Sequence, residues 1–309
     1  MLLRYHEDIW DDGGMVIFEH LTKRYGSLKA VDDLSFTVEP GVTGFLGPNG
    51  AGKTTTLRIA TDLIRPDTGK VSFDNEPYSK IRKPATHVGL ALEPVVFHPG
   101  RTAFDHLMML APYAGVGKKR CQEVISLVGL ADAANKRVGK FSLGMRGRLN
   151  LAAALLGDPE ILLLDEPVNG LDPEGIRWMR DLLRSLAGEG RTILISSHLL
   201  SEVAQTVDRV VIIAHGKLVY EGSLAELESA STPIVSVQAS DPAAVRGLAA
   251  QYGWTVDVQP DQILIEGPTA AQVGEAAFSA GIALEGLSTH TTDLESIFLT
   301  LTEGQGEMR

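Results

Sequence analysis

The sequence predicts an α/β protein in two parts: a core of parallel strands and crossover helices, interrupted by an all-helical insert, then a small α+β module. Three observations carry this. ILLLDEP (Ile161–Pro167) and RTILISSH (Arg191–His198) contain continuous apolar runs without alternation, the pattern of strands buried on both faces, and a segment of helical spacing, EGIRWMRDLLRSLAGEG, separates them. From about residue 94 to 157 the strand pattern disappears and only helical spacing remains. Near residue 230 the charge balance shifts: from Thr232 onward ten acidic residues face two basic ones, Arg246 and Arg309. That is a net of −8 out of −11, which leaves −3 for the first 231 residues.

Taken in order, MVIFEHLTKRY and LSFTVEPG predict opening antiparallel strands, VTGFLG a buried strand and KTTTLRIATDLI a helix. GKVSFDNEPY predicts a hairpin. HVGLALEP supplies a further strand. TAFDHLMMLAPYAG, KKRCQEVISLVGL and the run after Phe141 are the helices of the insert. After the two core strands, DRVVIIAHGKLVYEG reads as two strands joined at His215-Gly216. The remainder gives strand (PIVSVQAS), helix (DPAAVRGLAAQYG), hairpin (WTVDVQPDQILIEG), helix (TAAQVGEAAFSAG), strand (IALEGLS) and helix (DLESIFLTLTE), an order that suggests a ferredoxin-like module. Residues 1–14 read as a leader, with Met15 as an alternative start. The core domain is placed at 15–230 and the accessory module at 231–309.

Composition excludes several classes. No apolar run reaches 18 residues, since LNLAAALLGDPEILLLDEP is broken by Asp158 and Pro159, so no transmembrane helix is expected. The acidic N-terminus lacks an apolar signal core, which argues against export. The single cysteine, Cys121, cannot form an intramolecular disulfide and reads as a buried helix residue in a cytoplasmic protein. A net charge of −11 argues against broad nucleic-acid binding.

The chemistry begins at GPNGAGKT. Gly47, Pro48, Asn49, Gly50, Ala51, Gly52, Lys53 and Thr54 fit the glycine-rich phosphate loop G-x-x-x-x-G-K-[ST], with a strand before and a helix after. The core is thus a P-loop NTPase core with an antiparallel β subdomain. Gly47, Gly50 and Gly52 let backbone N–H groups turn inward around phosphates, and the helix start presents its own donors to the anion. Lys53 suits the β- and γ-phosphates, Thr54 suits Mg²⁺, and Thr55 suits the α-phosphate. In ILLLDEP, Asp165 and Glu166 emerge at the carboxyl end of a buried strand, where α/β sheets hold their ligands. Asp165 suits Mg²⁺ through water, and Glu166 suits polarising an attacking water. His198, just past TILISS, suits a γ-phosphate sensor. FSLGMRGR is open at this level: Ser142 can cap a buried helix, with Gly144 for close packing, or both can face an anion.

The phosphate loop, FSLGM, ILLLDEP, NGLD and His198, in that order, closely resemble the ATP-binding subunits of ABC transporters over about Met15 to Glu228, and DLESIFLTLTEG resembles the tail of many bacterial exporter ATPases. The resemblance implies that Ser142, Leu143 and Gly144 meet the γ-phosphate of ATP held by a second copy. It further implies that Asp172 of NGLD orients the machinery across that interface and that Tyr25 stacks on adenine. Two departures stand out. Leu143 and Met145 replace the first Gly and the Gln of the common L-S-G-G-Q, a form that resembles bacitracin and daunorubicin transporter ATPases. Glu93 stands where Gln is usual, within reach of Mg²⁺ or its water. The resemblance implies an ATP- and Mg²⁺-dependent ATPase acting as a homodimer. It would work at the cytoplasmic face of the membrane, on a separate ABC-2-type permease gripped near PVVFHPGRTAF, and export a hydrophobic drug, antibiotic, lipid or peptide. A soluble ATPase acting on ribosomes or DNA fits less well, because the chain has one cassette, no long heptad run and an acidic tail. A non-hydrolysing regulator fits poorly with Glu166 and His198 both present.

Overall fold

The computed structural model describes residues 14–94, 96–229, 234–259, 262–290 and 294–303. The expected leader, apart from Gly14, and Val95 of PVVFHPGRTAF lie outside them. Two compact units result, one reaching to Leu224 and the other spanning Ala225–Leu301.

In the first unit, β1 (Val16–Tyr25) and β2 (Leu28–Val38) pair antiparallel, and β3 (Gly41–Leu46) is buried at all but its first residue. Helix α1 (Lys53–Ala60) follows. It stops short of the predicted DLI, because Asp62 turns into a left-handed conformation, φ 57°. Strand β4 (Thr68–Phe73) corrects the expected hairpin in GKVSFDNEPY: after the Asp74-Asn75 turn only the Phe73–Glu76 bridge forms, and β4 instead pairs along β1. Its buried apolar residues, Val71 and Phe73, join the same apolar cluster as Phe18 of β1, and Tyr78 of the return segment packs against that cluster from a 3-10 turn, not a strand.

Strand β5 (Val88–Ala91) precedes the insert, built of α2 (Ala103–Ala114), α3 (Lys118–Leu127) and α4 (Leu143–Ala154) with short 3-10 turns and no strand among the described residues. Thr102 caps α2 by accepting from the Asp105 N–H. Cys121 is fully buried in α3. Then come β6 (Ile161–Asp165), α5 (Pro173–Gly188), β7 (Thr192–Ser197), the short α6 (Leu200–Val203), β8 (Arg209–Ala214) and β9 (Lys217–Ser223), with α7 (Leu224–Ser229) at the junction of the units.

The large sheet runs β5-β6-β7-β3-β8-β9, parallel except for the β8–β9 hairpin, whose turn at His215 and Gly216 has φ 50° and 81°. The smaller sheet runs β2-β1-β4. Stacked rings bind the two sheets: Phe18 on Phe36 at 4.1 Å and Phe36 on Phe45 at 5.1 Å between centroids. Because β6, β7 and β3 are central and parallel, their carboxyl ends open together on one edge.

The second unit contains β10 (Ile234–Ala239), α8 (Pro242–Tyr252), β11 (Thr255–Val258), β12 (Ile263–Glu266), α9 (Ala270–Ser279), β13 (Leu284–His290) and α10 (Leu294–Glu303) as far as Leu301. Its antiparallel sheet runs β11-β12-β10-β13, the ferredoxin-like order, around Val235, Val237, Val245, Ile263, Ile265 and Val273.

Candidate functional site

The phosphate loop is built by its neighbours. Gly47 N–H donates to the Ser197 carbonyl (3.3 Å), Ala51 N–H to the Pro48 carbonyl (3.1 Å), and the Ala51 carbonyl accepts from Gly216 N–H (3.0 Å), so the end of β7 and the β8–β9 turn both hold it. Gly52, which starts α1, has φ 111°, and a Cβ there would lie 2.2 Å from the Ala30 carbonyl oxygen; no other residue fits. Gly50 has φ 84° and open space around it. Residues 53–55 form the first turn of α1, whose N–H groups have no intrahelical partner and suit an anion.

Lys53 is buried, yet its ammonium faces the loop: Nζ donates to the Gly47 carbonyl at 2.5 Å and lies 3.5 Å from Glu166 Oε1. Burial pushes this ammonium below its ordinary pKa, against the opposing pull of Glu166 and Asp165. The Thr54 hydroxyl donates to Asp165 Oδ2 at 2.8 Å. Asp165 is buried at the end of β6. Next to it, Glu166 adopts φ 49°, a left-handed conformation uncommon for a side-chain-bearing residue. Its second oxygen, Oε2, lies 3.0 Å from His198 Nδ1.

Glu93 stands at the end of β5, and its backbone carbonyl accepts from Arg58 (3.1 Å). Its carboxyl is pushed up from its ordinary pKa, first by burial and then by the charges of Asp165 and Glu166. Contacts join Lys53, Thr54, Asp165, Glu166 and His198 into one cluster, and the charges of Asp165 and Glu166 reach Glu93. Among the described residues no group of three His, Cys, Asp or Glu side chains could enclose a metal by itself. The hard oxygens of Thr54 and Asp165 do fit a Mg²⁺ ion that shares its coordination with phosphate oxygens and water, its usual habit.

The other predicted residues lie elsewhere. Ser142 caps α4, accepting from the Met145 N–H at 3.2 Å, and Leu143 beside it is 59% exposed. Gly144 packs against the loop before α5: a Cβ there would be 3.2 Å from the Gly170 oxygen and from Leu171 Cδ2. Asp172 caps α5, accepting from the Gly175 N–H at 2.8 Å. Among the described residues, no hydrogen bond or ion pair joins Ser142, Leu143 or Gly144 to the phosphate loop. Tyr25, at the end of β1, is 48% exposed with the Lys23 ammonium 5.7 Å from its ring centroid.

Sequence reasoning missed Ser196, whose hydroxyl lies between Asp165 and Glu166, and the Gly170–Leu143 contact. The only signal for the first is a polar residue inside TILISS. For the second it is the glycine of NGLD.

Comparison with known proteins decides the family. A family model described as ABC transporter matches residues 31–169, and a domain of unknown function, DUF8746, matches residues 233–295. The bacitracin transport ATP-binding protein BcrA of Bacillus licheniformis is 47% identical over 225 residues, covering 72% of this chain and 74% of that protein. The chain belongs to the ABC transporter ATP-binding proteins. This ABC ATPase is also 34% identical to the daunorubicin resistance ATP-binding protein DrrA3 of Streptomyces coeruleorubidus, over 91% of this chain and 93% of the relative. In fold it matches a dimeric ATP-binding cassette solved in a post-hydrolysis state with ADP and Pi, with a TM-score of 0.62 and 24% identity over 68% of this chain and 98% of that one. No helix among the described residues is long and apolar enough to cross a membrane.

Proposed function

We propose that two copies of this ABC ATPase sandwich two Mg-ATP and drive a separate ABC-2-type permease at the cytoplasmic face of the membrane, exporting a hydrophobic drug, antibiotic, lipid or peptide. The observation that carries the reading is the placement of Glu166. Its carboxylate is gripped at one oxygen by His198 and at the other by Lys53, beside the Thr54–Asp165 pair and at the mouth of the phosphate loop. A carboxylate so held can accept a proton from a water attacking the γ-phosphate. His198 fixes its direction, and Lys53 holds the phosphate oxygens. Thr54 and Asp165 would hold Mg²⁺, with Glu93 reaching its water; the ion, when bound, neutralises charge on the phosphate oxygens. Gly47, Pro48, Asn49, Gly50, Ala51, Gly52 and Thr55 contribute the backbone and hydroxyl cradle, and Tyr25 offers its exposed ring to adenine.

Dimerisation is supported by what one copy lacks. Ser142, Leu143 and Gly144 stand at a helix start with a capping serine, yet bond to nothing in their own phosphate loop. A second copy, related by a twofold axis, brings that helix start and Asp172 to the γ-phosphate. Relatives named for bacitracin transport and daunorubicin resistance support the export of drug-like cargo.

The test is ATPase activity of the wild type and Glu166→Gln, with light scattering in ATP. Expected are turnover in the wild type, loss of about 10²-fold or more in the variant as for a missing general base, and an ATP-stable dimer of the variant. A fully active variant would remove Glu166 from the chemistry. A variant that stays monomeric in ATP would remove the sandwich.

A further inference from the structure

Glu166 is held at its side chain by His198 and Lys53, but a carboxylate can be aimed only if its backbone is fixed as well. The structure shows what fixes it. Asp165 on β6 and Ser196 on β7 are register partners in the parallel sheet, so their side chains emerge side by side on the same face. Ser196 is fully buried. Its Oγ accepts from the Glu166 N–H at 2.9 Å and lies 2.6 Å from Asp165 Oδ1. The directions are settled by proton count. An amide N–H can only donate, so Ser196 accepts there, and the single hydroxyl proton is left for the carboxylate.

We propose that Ser196 is a positioning residue for hydrolysis, its hydroxyl tying the backbone of Glu166 to the carboxylate of Asp165. The inference rests on the reading of Glu166 as the base. Three features make the tie consequential. Glu166 sits at φ 49°, a region an L-residue occupies at a cost and keeps only when its surroundings over-determine it. The bond to Ser196 is one of those constraints, acting at the residue's own nitrogen. Second, the same hydroxyl occupies Asp165 Oδ1 while Thr54 occupies Oδ2, which fixes the rotation of the carboxylate that would face Mg²⁺. Third, alternation along β7 gives neighbouring side chains separate tasks. Ser196 takes the backbone of Glu166, and His198, two residues on, takes its side chain. Ser197, between them, points its hydroxyl away to Leu199 and Glu202. One strand end thus holds both ends of Glu166.

The experiment uses the full chain with Ser196→Ala and Ser196→Thr, beside wild type and Glu166→Gln. Ser196→Ala deletes one oxygen without adding bulk. It is expected to bind ATP within about threefold of wild type and to lose about 10- to 100-fold in kcat, the scale of a misplaced catalytic group. The second readout is independent of turnover: exchange of the Glu166 amide proton in nucleotide-free protein, followed by nitrogen-15 NMR. It should be protected in wild type and about tenfold faster in Ser196→Ala, a change of about 1.4 kcal/mol, as for one lost hydrogen bond. Ser196→Thr, which keeps the hydroxyl, should restore both.

An unprotected Glu166 amide in the wild type would overturn the inference whether or not any variant folds. So would a Ser196→Ala that keeps wild-type kcat, or one that loses kcat with no change in exchange. If Glu166→Gln hydrolyses normally, the assignment of the base has failed. If Glu166→Gln is inactive and Ser196→Ala is normal, only the role of Ser196 has failed.

Discussion

Gly170 offers a direct test of how the α4 start and the loop before α5 are packed. The residue has φ +73°, and a Cβ placed on it would lie 2.3 Å from Leu143 Cδ2, 2.6 Å from Cγ and 3.1 Å from Cβ. Gly170→Ala therefore carries two separable costs. The first is conformational: an L-residue in the left-handed region loses roughly 1–2 kcal/mol relative to glycine. The second is steric and depends on Leu143. Leu143 is 59% exposed, so its side chain can swing outward, at about 0.5–1.5 kcal/mol for an off-rotamer χ. Together the substitution should cost about 2–3 kcal/mol.

A double-mutant cycle separates the two. In a Leu143→Ala background the methyl group loses the Cγ and Cδ2 clashes and meets only the retained Cβ at 3.1 Å, so the conformational cost of about 1–2 kcal/mol dominates. The coupling between the sites should be about 1 kcal/mol, above the roughly 0.3–0.5 kcal/mol scatter of independent sites. Thermal melting of the four nucleotide-free proteins measures it, at about 2–4 °C per kcal/mol for a unit of this size. Equal losses in the two backgrounds would refute the packing argument outright. Because the displaced side chain belongs to the first turn of α4, Gly170→Ala should also lower ATP turnover more than it lowers ATP binding.

Glu93→Gln should stabilise the nucleotide- and metal-free protein at neutral pH. A carboxyl whose folded pKa is raised contributes stability that is fully present below its ordinary 4.5 and is lost as pH rises through the raised value. Gln cannot ionise, so its melting advantage should be present at pH 8 and vanish near pH 4; an advantage independent of pH would rule out ionisation as the cause. Asp172→Ala removes the α5 cap and should cost about 1 kcal/mol, while Asp172→Asn keeps a capping oxygen and should melt near wild type. If Asp172→Asn still loses ATPase activity, the carboxylate acts beyond its own helix; if activity returns with stability, it is a cap alone.

Much of the ATPase core is legible in the sequence because its signals are local. GPNGAGKT carries its own geometry: the glycine at 52 is dictated by a positive φ and the Ala30 carbonyl, and a lysine followed by threonine has little use in a mere turn. The apolar stretches ILLL of ILLLDEP and ILI of TILISS are uninterrupted because β6 and β7 are buried along their whole length, and the strand ends place Asp165, Glu166 and His198 together. The order of elements after residue 233 likewise implied the ferredoxin-like sheet order. What failed was pairing at a distance. GKVSFDNEPY has the turn chemistry of a hairpin, and the turn forms, but β4 buries Val71 and Phe73 only by lying along β1. Local turn preference lost to the core.

The residues missed in the site share that origin. Ser196 reads as one more polar residue near a strand end until the register of β6 on β7 sets it opposite Asp165. Gly170 reads as an ordinary turn glycine until α4 is brought against it. Both contacts join segments far apart in sequence, and both act on groups that sequence had already singled out. The contact at Gly170 also changes how the unused half of the site is understood. Gly144 lies against Gly170 and Leu171, Leu143 covers Gly170, and Asp172 caps the helix that follows directly. The two segments proposed to face a second copy's nucleotide are thus packed on one another, so a displacement of one cannot leave the other in place. That arrangement predicts a shared sensitivity: substitutions at Leu143, Gly170 and Asp172 that spare ATP binding should impair turnover together, whereas substitutions around Glu166 should impair turnover while leaving dimer formation in ATP intact.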